Sequence, residues 1–188
     1  NSGTRGIVYQ NRFEKAYSLD WAMRLKSILQ RKGWNVVMTR IKDVDLSLEE
    51  RVKITKAAKP DLFVSLHFNS SFPNLKANGI ETYCLTPTGL PSTLTRGNED
   101  EIGQSFPNNR HDRPNIQLAA KIQSALVEGT GATDRGVRRA RFMGVLKGQV
   151  QPAILVEGGF LSNPTEAEKV AKASYRQRMA ELVAQALE

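Results

Sequence analysis

Apolar residues recur along this chain with two different periods, and the switch between them outlines the elements. Phe13, Tyr17, Trp21, Leu25, Ile28 and Leu29 fall on one side of a helix over Phe13–Gln30, and Gly33 supplies its stop. Trp34–Thr39 (WNVVMT) predicts a short strand. Ser47 and Glu50 have the spacing of a capping box, which opens a second helix that ends before Pro60. Asp61–His67 (DLFVSLH) is continuously apolar, as a strand buried on both faces would be. Gly79–Leu85 alternates Ile80, Thr82 and Cys84 against Glu81, Tyr83 and Leu85, which predicts a strand with one less apolar face.

Thr86–Asn115 breaks both periods and is rich in Pro, Gly, Asn, Ser and charge, so it reads as a long loop insertion and the least ordered part of the chain. Helical spacing resumes over Ile116–Val127. Arg141–Leu146 and Pro152–Val156 are two further strand candidates, and Asn163-Pro164 opens another helix. Tyr175, Met179, Leu182, Val183 and Ala186 mark the apolar face of the last one. No internal repeat is present. The order predicts a single α/β domain over residues 1–188, with a mostly parallel central sheet flanked by helices on both faces. In such sheets the site lies beyond the carboxyl ends of the strands.

Composition narrows the partners more than the fold. With 188 residues and 40% apolar side chains the chain can bury an ordinary core, and no apolar run is long enough to span a membrane. Its N-terminus, NSGTRGIVYQ, has no signal-peptide hydrophobic region, so membrane insertion is not expected. Cys84 is the single cysteine, which excludes an internal disulfide and reads as a small buried hydrophobe. The net charge of +8 favours an anionic partner. The densest cationic stretch, Arg135–Arg141 (RGVRRAR), has no interleaved aromatic platform, so nucleic acid is not expected.

Two apolar runs finish on ionisable residues. Asp61–His67 ends on His67, with Asn69 two residues on, and Gln151–Gly159 (QPAILVEGG) carries Glu157 to the end of a strand and hands it to two glycines. Desolvating an imidazole or a carboxylate is unfavourable unless a metal, a partner or a reaction uses it. The simplest chemistry for such a pair is metal-assisted hydrolysis, in which a catalytic zinc takes about three protein ligands and leaves one position for water. Glu14, at the start of the first long helix, is a further candidate, although a carboxylate there also compensates the helix dipole. Glu157 could instead be a buried ion-pair carboxylate, but Gly158-Gly159 beside it lets backbone or substrate approach closely.

Phe13-Glu14-Lys15, Asp61–Ser70 (DLFVSLHFNS), Asn78–Tyr83 (NGIETY), Asp134–Val137 (DRGV) and Pro152–Pro164 (PAILVEGGFLSNP) together resemble the zinc-dependent N-acetylmuramoyl-L-alanine amidases of the Amidase_3 type. The resemblance runs from Phe13 to the C-terminus, interrupted by Thr86–Asn115. It implies hydrolysis of the amide between N-acetylmuramic acid and the L-alanine of the peptidoglycan stem peptide. It also implies one zinc ion, with Glu14 and His67 as two of its ligands, and Glu157 as general base and then proton donor. Asn69 either orients a ligand or holds substrate, or it satisfies backbone groups past the strand end. Peptidoglycan is the implied partner, with room for a regulatory protein or domain, and the implied location is the periplasm or the cell wall.

In that family the third ligand is a histidine ending a first strand, in a stretch like DPGHGG. Asn1-Ser2-Gly3 resembles the loop directly after it, which puts that strand ahead of residue 1. The only other histidine here is His111, in the polar stretch RHDRPN, where a solvated side chain is the ordinary expectation. The readings left open are a ligand on a segment ahead of residue 1, replacement by His111, and a domain that has lost its metal and binds the wall without cleaving it. The long loop, beside the NGIETY strand, either lines or gates the groove or is a tolerated surface insertion.

Overall fold

Residues 8–9, 12–95 and 100–188 are described by the structure, a computed structural model. A two-stranded ribbon, β1 (Val8–Tyr9) and β2 (Arg12–Phe13), leads into α1 (Glu14–Arg31). Then follow α2 (Leu48–Ala58), β3 (Phe63–Asn69), β4 (Ile80–Cys84), α3 (Asp112–Thr130), β5 (Asp134–Arg139), α4 (Gly144–Lys147), β6 (Ala153–Phe160), α5 (Pro164–Ala171) and α6 (Ala173–Ala186). The main sheet has the order β3-β6-β4-β5: β3 and β6 run parallel, as do β4 and β5, and β4 runs antiparallel to β6. No helix among the described residues is long and apolar enough to cross a membrane.

Local chemistry sets the helix ends where the pattern put them. Ser47 and Glu50 exchange the reciprocal bonds of a capping box, and α2 closes on Lys59 in the left-handed conformation just before Pro60. Gly33 turns the chain out of α1 with φ +84°. The side chains of Asn1–Phe13, and with them the first position of the predicted α1 stripe, lie outside the described residues.

Alternation along the strands separates two cores. Ile80, Cys84, Ile154, Val156 and Phe68 point toward α1, α3 and α6, while Tyr83, Leu155 and Ala153 point to the other face and pack with Val145 and Leu146 of α4. On the first side Trp21 is fully buried and its ring centroid lies 5.4 Å from that of Phe68. Gly158 makes that packing possible: a Cβ there would stand 2.5 Å from Met179 Cε, 2.9 Å from Trp21 Cζ3 and 3.1 Å from Phe68 Cε1. Cys84 is buried without contact to solvent, and burial pushes its thiol up to about 12, in keeping with a small core residue.

Several predicted boundaries move. Trp34–Thr39 is not a strand: it runs beside a cavity of about 320 Å³ that separates Val36 and Met38 from Val64 and Leu66, and it forms no ladder with β3 among the described residues. For the same reason β3 is not buried on both faces; only Phe68 is buried, because one long edge of the strand borders the cavity. Arg141–Leu146 forms a turn and the short α4, since Val145 and Leu146 both pack under β6 and do not alternate; the strand is β5, just upstream. Glu157 is the fifth of eight residues in β6 and not its last, because pairing continues through both glycines to Phe160.

Residues 96–99 of the predicted loop lie outside the described residues; its described part is shorter and better anchored than its composition suggests. A 3-10 turn, Pro107–His111, leads directly into α3, which begins at Asp112. Arg141, 1% exposed, reaches the Asp100 carboxylate and the carbonyls of Pro87 and Leu90, and Thr93 exchanges hydrogen bonds with the backbone of Arg139 on the outer edge of β5. The side chain and backbone amide of Ser92, joined by Arg141, hold the Asp100 carboxyl below the usual carboxylate range. This anchor therefore contributes above the ordinary carboxylate range and is lost as pH falls through the depressed value.

Two outcomes follow from the packing. Gly158→Ala overpacks the Trp21–Phe68–Met179 contact and lowers stability by about 1–3 kcal/mol, read as a lower midpoint in thermal denaturation. Arg141→Ala releases the loop, so limited trypsin digestion followed by mass spectrometry gives faster cleavage on the C-terminal side of Arg139 and within the segment that precedes Pro107, with the remaining domain resistant.

Candidate active site

Register brings the ionisable residues into one row. His67 of β3 lies directly opposite Glu157 of β6 in the parallel pair, and Glu157 lies directly opposite Glu81 of β4 in the antiparallel pair. Directly paired residues project from the same face, about 4.8 Å apart per strand. The row runs imidazole, carboxylate, carboxylate across three strands, on the α4 side of the sheet.

Glu14 joins the row from outside the sheet. As the first residue of α1 it sits where the helix dipole favours a carboxylate, and its side chain is 1% exposed. Its Oε1 lies 2.8 Å from His67 Nδ1 and also accepts the Phe68 backbone N–H at 3.4 Å. A carboxylate can only accept, so Nδ1 carries the proton and Nε2 accepts from the Ser65 hydroxyl at 3.0 Å. Burial lowers the His67 pKa, opposed by the bond to Glu14. The imidazole is therefore neutral, which is the form that ligates metals. Arg40 steadies the start of α1 through the Lys15 carbonyl at 2.6 Å. Burial lowers the pKa of Arg40 and, behind it, of Arg51, both of which line the cavity beside β3.

Two protein ligands of a tetrahedral ion with bonds of about 2.0–2.1 Å stand about 3.3 Å apart. The Glu14–His67 pair fits such an ion with a small opening of the present contact and transfer of the ring proton from Nδ1 to Nε2, where the Ser65 hydroxyl can accept it. Among the described residues no group of three or more His, Cys, Asp or Glu side chains forms a ligand set. His111 does not join them: its Nε2 lies 2.8 Å from the Val150 carbonyl, three residues before β6 begins and so at the opposite end of that strand from Glu157.

Asn69 has a defined place. Its Oδ1 accepts the Ser70 backbone N–H and its Nδ2 donates to Glu81 Oε1 at 2.9 Å, so it ties the end of β3 to the middle carboxylate of β4. Glu81 is 3% exposed and also accepts from the Tyr83 hydroxyl at 2.8 Å and from Arg135 Nε at 3.0 Å, with Arg138 Nε at 3.6 Å. Burial and the neighbouring Glu81 raise the Tyr83 pKa, keeping the phenol as a donor. The face of β4 that reads as less apolar is thus buried, because partners satisfy its carboxylate.

Glu166 is a second unassigned carboxylate with structural weight. From the first turn of α5 it accepts the Phe160 N–H at 2.8 Å and the Gly79 N–H at 3.0 Å, fastening the end of β6 to the start of β4. Gly79 takes φ +105°, and a Cβ there would stand 2.4 Å from the Thr133 carbonyl oxygen, so this contact requires glycine. Glu81, Arg135, Arg138 and Glu166 all fall in or beside the blocks NGIETY, DRGV and PAILVEGGFLSNP. The available signal was a carboxylate in mid-strand, which needs cations brought from elsewhere in the chain.

Comparison with known proteins agrees with this geometry. The sequence profile of the N-acetylmuramoyl-L-alanine amidase family, Amidase_3, matches residues 1–188. The chain is 32% identical over 178 residues to the uncharacterized protein YqiI of Bacillus subtilis, covering 95% of this chain and 74% of that one. It is also 32% identical over 178 residues to the N-acetylmuramoyl-L-alanine amidase LytC of the same organism, covering 95% of this chain but only 31% of LytC. The crystal structure of N-acetylmuramoyl-L-alanine amidase from Clostridium difficile 630 superposes with a TM-score of 0.79 at 30% identity, covering 95% of this chain and 83% of that one. Fold, block order and sequence profile converge: this chain belongs to the N-acetylmuramoyl-L-alanine amidase family.

Proposed function

We propose that the row His67–Glu157, joined by Glu14, carries out hydrolysis of the amide between N-acetylmuramic acid and the L-alanine of the stem peptide. The observation that carries this reading is the convergence of Glu14, His67 and Glu157, residues from α1, β3 and β6, at one place on the sheet. Family membership favours hydrolysis over a module that only binds the wall.

Glu14 and His67 would hold a zinc ion, each offering one ligand atom. When bound there, the ion supplies Lewis-acid polarisation of the scissile carbonyl and a water of lowered pKa. Glu157, one strand over from His67, takes a proton from the attacking water and delivers it to the leaving nitrogen, so a single carboxylate serves both halves of the reaction. The backbone on either side of Glu157 is fixed by pairing to β3 and β4, which sets its carboxylate on the face of His67 and Glu81 without reliance on a loop.

A third ligand is proposed to come from an extended segment lying in the cavity between β3 and Trp34–Thr39, the position implied for the family's first strand. The free edge that β3 presents among the described residues and the width of the cavity support that placement. Peptidoglycan is the proposed substrate, in line with the +8 charge and a carboxylate-bearing polymer. A regulatory protein or domain is the second class of partner, and the periplasm or cell wall is the proposed location.

Glu157→Gln keeps its zinc, by metal analysis, while the release of L-alanine amino groups from purified peptidoglycan falls by about 10²–10⁴-fold. Glu14→Gln and His67→Ala instead lose the metal together with the activity. Retention of full turnover by Glu157→Gln would remove the proton-transfer role. Chelation abolishes hydrolysis by the active enzyme and zinc restores it; activity that survives exhaustive chelation would overturn the metal-assisted reading.

A further inference from the structure

The row that begins at His67 does not stop at Glu81. Beyond β4 lies β5, the outermost strand, and Arg138 pairs there with Tyr83, on the face that carries Glu81 and Glu157. Arg135 reaches the same carboxylate from the start of β5. Each arginine turns its Nε toward Glu81, and each remains about one-third exposed, 32% for Arg135 and 34% for Arg138. Two guanidinium groups share the Glu81 carboxylate and stay partly in contact with solvent at that end of the row.

The two cations are held, not loose. The Arg135 guanidinium lies 4.8 Å above the Phe160 ring, and its Nη1 is 3.5 Å from the Asn78 carbonyl. Glu81 is itself fixed by Tyr83 and Asn69. A guanidinium braced through Nε keeps its Nη groups as a planar fork suited to an incoming carboxylate. Arg141, which follows closely in the same basic stretch, is buried in the loop anchor and takes no part.

Distance names the ligand. β5 lies two strand spacings, about 10 Å, from β6 and hence from Glu157. An extended peptide advances about 3.3–3.6 Å per residue. A bond held at His67 and Glu157, followed by L-alanine and one further residue, brings that second residue's carboxylate within reach of the arginine side chains.

We propose that Arg135 and Arg138, braced by Glu81, form a subsite for the free carboxylate of the stem-peptide residue that follows L-alanine. The arginines are specificity residues and Glu81 is a positioning residue. The assignment rests on the amidase reading and adds to it the polarity of the bound peptide: sugar over β3 and β6, peptide running toward β5.

The test is equilibrium binding, by calorimetry on chelator-treated protein that does not turn the ligands over, of two muramoyl dipeptides that differ only in whether the second residue's carboxylate is free or amidated. The wild-type chain binds the free acid at least about ten-fold more tightly, and Arg138→Ala and Arg135→Ala each reduce that ratio to near one. Equal affinity of the wild type for the two peptides, or no binding of either, overturns the subsite. A preference that survives in both variants overturns its assignment to these arginines. Circular dichroism establishes that the variants are folded, and the wild-type comparison stands without them. Hydrolysis of whole peptidoglycan is scored separately: cleavage with equal affinities sinks the subsite alone, whereas selective binding without cleavage by the zinc-loaded enzyme sinks the amidase reading.

Discussion

The site depends on the register of β6 against its two neighbours. His67 and Glu81 are far from Glu157 in the chain, and only the pairing of β3 and β4 on opposite sides of β6 sets the three in line. A shift of one residue in either pairing would turn one member of the row to the other face, toward the Trp21 core. That register is held by features that are themselves unreactive: the glycine against which Trp21, Phe68 and Met179 close, the Asn69 bridge, and the Glu166 carboxylate that fastens the strand ends.

Burial and polarity are reconciled along that row by giving each buried carboxylate a hydrogen-bond or ion-pair partner. Glu14 is opposed by His67, and Glu81 by Arg135 and Arg138. A carboxylate withdrawn from water is tolerated only when hydrogen bonds or cations replace hydration. Most of the polar residues that look anomalous in a sheet of this composition are answered by a named partner from another element, and those partners also define the edges of the groove.

Much of this was legible in the sequence, and the exceptions share one cause. The capping box at Ser47, the stop at Gly33 and the stripe along α1 are local signals that the fold keeps. His67, Glu157 and Glu14 stood out because ionisable residues interrupted apolar patterns or opened a helix. Trp34–Thr39 reads as a strand by composition yet has no ladder partner among the described residues, and strand formation is decided by a neighbour. Arg141–Leu146 has strand-like residues, but Arg141 turns to the loop while Val145 and Leu146 both pack under β6, so they do not alternate. Glu81 and its arginines were hidden because their meaning lies in a cross-strand contact between segments more than fifty residues apart. The loop looked disordered because its anchor, Arg141, belongs to a stretch that reads as surface charge.

The double contact made by Glu166 has a consequence for how such a chain can change length. Leu161–Thr165 measures out the path from the last residue of β6 to the carboxylate that holds both Phe160 and Gly79, so one added residue there would rotate Glu166 by about 100° around α5 and free both amides at once. The described residues between Thr86 and Phe106 lie along the outer strand, joined to it through Arg141 and Thr93, and residues inserted among them can bulge into solvent. Length variation is thereby channelled to the β5 side, where new segments would meet the peptide end of the groove and leave the reacting end as it is.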